Sequence, residues 1–67
     1  MGMNVRINNQ PFELPAGATL ADAVTLFRAV APFATAVNMQ FVPQSLYATT
    51  ALKNDDSIEI IRPVTGG

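Results

Sequence analysis

The sequence contains no cysteine and no histidine, and these two absences exclude several kinds of chemistry. Without thiol or imidazole side chains there is no disulfide, no nucleophilic cysteine, no histidine general base and no ordinary zinc site. Domains of this size often need a disulfide or a structural metal. The 67 residues must therefore be stabilised by their own apolar core. We expect a protein that is not an enzyme and that binds no metal or other cofactor itself.

Charge is also scarce. Charged residues make up 13% of the chain, with four basic residues against five acidic ones and a net charge of −1. No basic residue neighbours another, so the clustered positive charge that binds a phosphate backbone is missing. Nucleic acid is therefore not an expected partner. Hydrophobic residues account for 49% of the chain, which favours a folded domain over a disordered one.

Residues 29–52 carry no charge, and this stretch is long enough in principle to span a bilayer. Prolines and polar side chains interrupt it, among them Pro32, Asn38 and Pro43, and hydrocarbon cannot satisfy their polar groups. We therefore expect no membrane insertion. Residues 1–10 lack the pattern of a cleavable signal peptide, so the cytoplasm is the expected location.

An alternation of apolar and polar residues at the start of the chain predicts a β-hairpin. Asn8 and Asn9 stand between the two alternating runs, and asparagine tolerates the left-handed backbone of a tight hairpin turn. The second run ends at residues 15–17, Pro-Ala-Gly. The alternating apolar positions are Met3, Val5, Ile7, Phe12 and Leu14.

A helix is predicted next, over residues 20–31. Thr19 suits its N-cap, and Asp22 three positions later comes close to a capping box. Pro32 is expected to end it. Apolar residues recur at spacings of three and four, which places them on one face. They are Leu20, Ala23, Val24, Phe27, Val30 and Ala31.

The second half of the chain predicts short strands. Residues 34–38 favour a strand, and Phe41 and Val42 favour a very short one, with a turn at Met39 and Gln40 between them. Residues 46–52 mix strand-favouring and helix-favouring residues and are expected to be irregular.

The last strand is predicted over residues 57–62 after a turn at residues 54–56. The acidic pair in this turn, Asp55 and Asp56, could form half a metal site, but a turn of small acceptors before a strand is far commoner. In the strand, Ile58 and Ile60 share one face. Ile61 lies on the other face, so it is either a partner-docking residue or an ordinary exposed isoleucine.

Together these elements predict an α+β domain over residues 1–62, with one helix on one face of a mixed sheet, followed by a flexible tail over residues 63–67. The tail ends in two glycines, Gly66 and Gly67. The simplest interpretation is a frayed end. The functional interpretation is that a tail without side chains enters a narrow channel and presents its carboxylate for reaction. A carboxylate must first become a mixed anhydride, so ATP and Mg²⁺ would belong to a partner.

Four segments and the terminal glycines resemble the ubiquitin-like β-grasp sulfur carriers of the ThiS family. The segments are residues 3–10 (MNVRINNQ), 17–20 (GATL), 36–43 (AVNMQFVP) and 52–60 (LKNDDSIEI). The sequence departs from the usual family pattern in three places: Asn-Asp-Asp at residues 54–56 stands for Asp-Gly-Asp, Gln44 replaces a basic residue, and Tyr47 replaces tryptophan. The tail also resembles that of MoaD, the small subunit of molybdopterin synthase.

The resemblance implies a β-grasp fold, with a mixed sheet of four to five strands, and a cycle of sulfur transfer. An E1-like, ThiF-like adenylyltransferase adenylates Gly67 with ATP, and a persulfide donor then yields a thiocarboxylate. A ThiG-like thiazole synthase accepts the sulfur for thiamine biosynthesis. In this interpretation Gly66 gives clearance, Val64 and Thr65 set the reach of the tail, and Ile61 docks the partner.

Two other functions stay open. One is a MoaD-like carrier role in molybdopterin synthesis, and the other is a β-grasp interaction module or protein modifier. We expect a monomer when no partner is bound.

Overall fold

In the computed structural model, which describes residues 2–62, five strands form one sheet and an α-helix packs on one of its faces. The elements, in chain order, are β1 (Gly2–Ile7), β2 (Gln10–Pro15), α1 (Leu20–Phe27), β3 (Ala34–Val37), β4 (Gln40–Val42), a 3₁₀ helix (Gln44–Thr49) and β5 (Ser57–Ile61).

The strand order is β2-β1-β5-β3-β4. β1 and β2 form one antiparallel hairpin, and β3 and β4 form another. β5 lies between the hairpins, parallel to β1 and antiparallel to β3. The sheet is therefore mixed, and the last strand in sequence is the central one. This arrangement confirms the predicted α+β class.

The opening hairpin is as predicted. Asn8 and Asn9 have φ angles of 52° and 67°, the left-handed values that a two-residue hairpin turn requires. Gly17, with φ of +88°, lies in the turn that leads from β2 to the helix. Apolar side chains of both strands face the helix and form the core with residues of β5 and the helix. The largest fully buried side chains are Val5, Ile7, Leu20, Thr35 and Ile58.

The helix begins where predicted but ends four residues earlier. The Thr19 N–H donates to the Asp22 carboxylate at 2.8 Å, which forms part of the capping box. At the other end Arg28 is left-handed, with φ of 58°. Its N–H donates to the Thr25 carbonyl at 3.1 Å, and the next N–H donates to the Val24 carbonyl at 3.3 Å. These bonds form a Schellman motif, which satisfies the last carbonyls and stops the helix before Pro32.

The early helix end corrects the predicted buried face. Val30 is 60% exposed rather than buried, and Ala31 is also exposed. Phe27 is only partly buried, and its ring lies edge-on to that of Phe12 with centroids 6.0 Å apart.

The second hairpin turn is shifted by one residue from its predicted position. Asn38 and Met39 form it, with φ angles of 50° and 74°, and Gln40 belongs to β4. Asparagine tolerates this backbone, which explains why the turn begins at residue 38. The prediction that residues 46–52 are irregular is wrong for residues 46–49, which belong to the 3₁₀ helix. This helix buries Tyr47 against Phe33 with ring centroids 6.2 Å apart.

The turn before β5 is present, and its last side chain has a structural role. The Asp56 carboxylate accepts a hydrogen bond from the Lys53 N–H at 2.8 Å and another from Asn38 Nδ2 at 2.9 Å. Asp56 is 8% exposed. These contacts favour the structural role of Asp56 over the metal-binding alternative. β5 itself ends at Ile61, one residue before the predicted end.

The burial pattern of the helix predicts that leucine-to-alanine substitutions at two of its positions lower the free energy of unfolding by different amounts. We expect Leu20→Ala to lower the free energy of unfolding by about 2–5 kcal/mol, because Leu20 is fully buried and its truncation leaves a cavity. Leu26 is 45% exposed, so Leu26→Ala should cost less than about 1 kcal/mol. Urea unfolding measures both values, and equal losses would show that the buried face is misassigned.

Candidate functional site at the end of the last strand

The candidate site consists of the end of β5 and the sheet face beside it. Four of the predicted functional residues, namely Val64, Thr65, Gly66 and Gly67, lie outside the described residues. Ile61, the fifth, is the last residue of β5. The described part of the site is therefore the end of β5 and the surface that surrounds it.

Ile60 and Ile61 lie on opposite faces of the sheet. Successive side chains of a strand point to opposite faces, and Ile60 is 6% exposed whereas Ile61 is 56% exposed. β5 is therefore regular up to its end. The predicted orientation of Ile61, away from the helix, is confirmed.

Ile61 is part of an apolar surface on the outer face, the face without the helix. Ile61 pairs with Ala34 across β5 and β3, and Phe41 pairs with Ala36 across β4 and β3. Phe41 is 69% exposed. Ala34, Ala36, Phe41 and Ile61 constitute what we call the outer apolar patch. Glu59, which pairs with Ala36, adds a carboxylate to it.

A shallow depression lies at the end of β5 and shares Ala34 and Ile61 with the patch. Pro32, Phe33, Ala34 and Ile61 line it, so its walls are almost wholly apolar. Sequence reasoning identified Ile61 but missed Phe41 as a surface residue. The missing information was the register, because only the pairing of β4 with β3 shows which way Phe41 points.

Within residues 2–62 no group of three or more acidic side chains is placed to hold a metal ion. No helix in the same range is long and apolar enough to cross a membrane. Among residues 2–62, the geometry supplies an exposed apolar surface beside the end of β5. Exposed apolar surfaces of this kind suit contact with another protein.

A mixed sheet with this strand order and one helix on one face defines a ubiquitin-like β-grasp protein. The crystal structure of thiamine biosynthesis protein ThiS from Geobacter metallireducens has this fold and matches with a TM-score of 0.79. The two sequences are 16% identical, and the match covers 97% of this chain and 100% of that one. The ThiS family model matches residues 5–67, and the chain belongs to the ThiS family. A search of curated protein sequences found no match.

This membership confirms the predicted β-grasp fold and the predicted family. ThiS family members are small sulfur carrier proteins of thiamine biosynthesis. The family match includes Gly66 and Gly67 and therefore extends beyond the described residues.

Ile60 and Ile61 provide a matched pair for testing the two faces of β5. We expect Ile61→Asp to leave the thermal midpoint nearly unchanged, because the new carboxylate reaches water. Ile60→Asp should abolish folding, because it buries a charge in the apolar core. Circular dichroism melts of the two variants distinguish these outcomes. Unfolding of the Ile61→Asp variant would contradict the assignment of Ile61 to the outer face.

Proposed function

We propose that this chain is a sulfur carrier whose Gly67 carboxylate is adenylated and converted to a thiocarboxylate, which donates sulfur for thiazole formation. The family match through residue 67 carries this proposal. The fold supports it, because the tail follows directly from the central strand of a folded domain. Residues 1–62 constitute that domain in this proposal, and residues 63–67 constitute the reactive tail.

The first step is attack by a Gly67 carboxylate oxygen on the α-phosphate of ATP. A new P–O bond forms and pyrophosphate leaves, which gives an acyl-adenylate. The terminal sulfur of a persulfide then attacks the carbonyl carbon and AMP leaves. A thiol then attacks the donor-side sulfur of the resulting acyl disulfide, which forms a new disulfide with the donor and releases the thiocarboxylate. After sulfur transfer to the acceptor held by a thiazole synthase, an oxygen atom from that acceptor or from water replaces the sulfur, and the carrier regains its carboxylate.

Every catalytic group in this cycle belongs to a partner. An E1-like, ThiF-like adenylyltransferase uses ATP and Mg²⁺, and a ThiG-like thiazole synthase accepts the sulfur. The chain itself binds no cofactor and acts as a co-substrate. We propose that the free carrier is a monomer and that the cycle runs in the cytoplasm.

The tail residues have distinct roles in this proposal. Gly67 carries the sulfur, and Gly66 lets the backbone pass through a channel too narrow for a side chain. Val64 and Thr65 set the distance between the folded domain and the reacting carboxylate. The outer apolar patch docks the adenylyltransferase, which suits an exposed surface beside the tail root.

The docking role of the patch predicts a loss of binding without a loss of stability. We expect Ile61→Asp to weaken binding to the adenylyltransferase by about 10-fold or more, since it places a charge in an apolar contact. Glu13→Ala is the control, because Glu13 is exposed on β2, at one edge of the sheet. Titration calorimetry compares the two variants with the wild type. Unchanged binding by Ile61→Asp would exclude the patch as the docking surface.

The proposed function also predicts that adenylation depends on the length of the tail. Deletion of Gly67 shortens the tail by roughly 3.5 Å and leaves Gly66 short of the α-phosphate. Addition of an alanine after Gly67 should abolish adenylation equally, because the terminal carboxylate then lies beyond the α-phosphate. Gly66→Val should impair passage through the channel and leave the thermal midpoint unchanged. The rate of pyrophosphate release measures adenylation of all three variants. Near-wild-type turnover by the Gly67 deletion would refute the proposal.

A further inference from the structure

The side chain of Asn8 extends the pairing between β1 and β5 past the end of β1. β1 ends at Ile7, and the Asn8 N–H makes the next backbone bond, to the Ile58 carbonyl at 2.9 Å. The chain then turns away at Asn8 and Asn9. The side-chain amide of Asn8 makes the next two hydrogen bonds in place of a backbone. Its Oδ1 accepts from the Ile60 N–H at 2.8 Å, and its Nδ2 donates to the Ile60 carbonyl at 3.1 Å.

These two bonds take the place of a missing strand residue. Alternate residues of a strand direct their backbone groups to opposite neighbours, so Ile60 directs both groups towards β1. Both bonds are partly buried, and loss of the Asn8 amide would leave Ile60 without these partners. On the other side of β5, Ile61 pairs with Ala34. The end of β5 is therefore held on one side by β3 and on the other by one side chain.

We infer that Asn8 is a positioning residue for adenylation, acting through Ile60 to hold the tail root in the direction that brings Gly67 to the nucleotide. This inference rests on the proposed function. A reacting group displaced by about 1 Å can lose about 100-fold in rate. Asn8 reaches this position across 52 residues of sequence. Its effect on the tail requires no contact with the nucleotide.

Asn38 is a matched control for Asn8. It also begins a tight hairpin turn, with φ of 50° against 52° for Asn8. Its side chain also bonds the β5 region, accepting from the Ser57 N–H at 3.0 Å and donating to the Asp56 carboxylate at 2.9 Å. These contacts lie at the start of β5, away from the tail root. Glycine at either position tolerates the positive φ, so Asn8→Gly and Asn38→Gly each remove the side-chain bonds without straining the turn. The entropic cost of introducing glycine is common to both variants.

The experiment combines amide hydrogen exchange with the steady-state kinetics of adenylation by a ThiF-like enzyme. We expect Asn8→Gly to accelerate exchange at the Ile60 amide, and Asn38→Gly to accelerate exchange at the Ser57 amide. For Asn8→Gly, kcat should fall by about 10- to 100-fold while KM for the carrier stays within about two-fold. Asn38→Gly should keep the wild-type kcat, although it loses about as much thermal stability as Asn8→Gly does.

Three results would overturn the inference. In the first, Asn38→Gly lowers kcat as much as Asn8→Gly does, which would indicate a general effect of destabilisation. In the second, Asn8→Gly exposes the Ile60 amide but keeps kcat. In the third, KM rises with kcat unchanged, which would indicate direct contact of Asn8 with the partner.

A second variant keeps the inference testable if Asn8→Gly does not fold. Asn8→Asp tolerates the same backbone and keeps the acceptor for the Ile60 N–H, but it loses the donor to the Ile60 carbonyl. We expect an intermediate kcat, and a wild-type kcat would overturn the inference. A wild-type chain that is never adenylated would overturn the proposed function itself. Exchange at the Ile60 amide would still report on the structural bond, so the two failures are distinguishable.

Discussion

The position of β5 between β1 and β3 is the constraint on which the sheet depends. Within residues 2–62, pairing with β5 is what joins the two hairpins into one sheet. Turn asparagines reinforce this pairing across long stretches of sequence, for example through the bond from the Asn4 N–H to Asn54 Oδ1 at 2.8 Å. The last strand also contributes to the core, because Ile58 and Ile60 belong to the same buried cluster as residues of β1, β2 and the helix.

The same constraint connects the fold to the proposed chemistry. In the proposed function the reactive tail follows the central strand, and the last residues of that strand have hydrogen-bond partners on both sides. The outer apolar patch uses Ile61 of this strand and therefore lies beside the tail root. The proposed docking and the proposed presentation of the terminus would thus both depend on β5. In the proposed function, the folded domain binds the adenylyltransferase and the tail provides the reacting carboxylate.

Local patterns predicted much of the fold, and long-range contacts account for the differences. The capping residues at Thr19 and the alternation through β5 predicted the helix start and the orientation of Ile61. Arg28 and Met39 adopt positive φ angles, for which neither residue type gives a sequence signal. The sequence predicted Asn8 as a turn residue, but its bonds to Ile60 depend on a strand 52 positions away and could not be derived from local pattern.

The central claim is that Gly67 of this chain carries sulfur. The most direct test is the intact mass of the wild-type protein after incubation with ATP, Mg²⁺, a persulfide donor and a ThiF-like adenylyltransferase, followed by fragmentation to locate any change. Replacement of one oxygen by sulfur at Gly67, dependent on ATP, is the expected result. An unchanged mass in a reaction where the same enzyme thiocarboxylates its own carrier would contradict the account and favour a β-grasp interaction module.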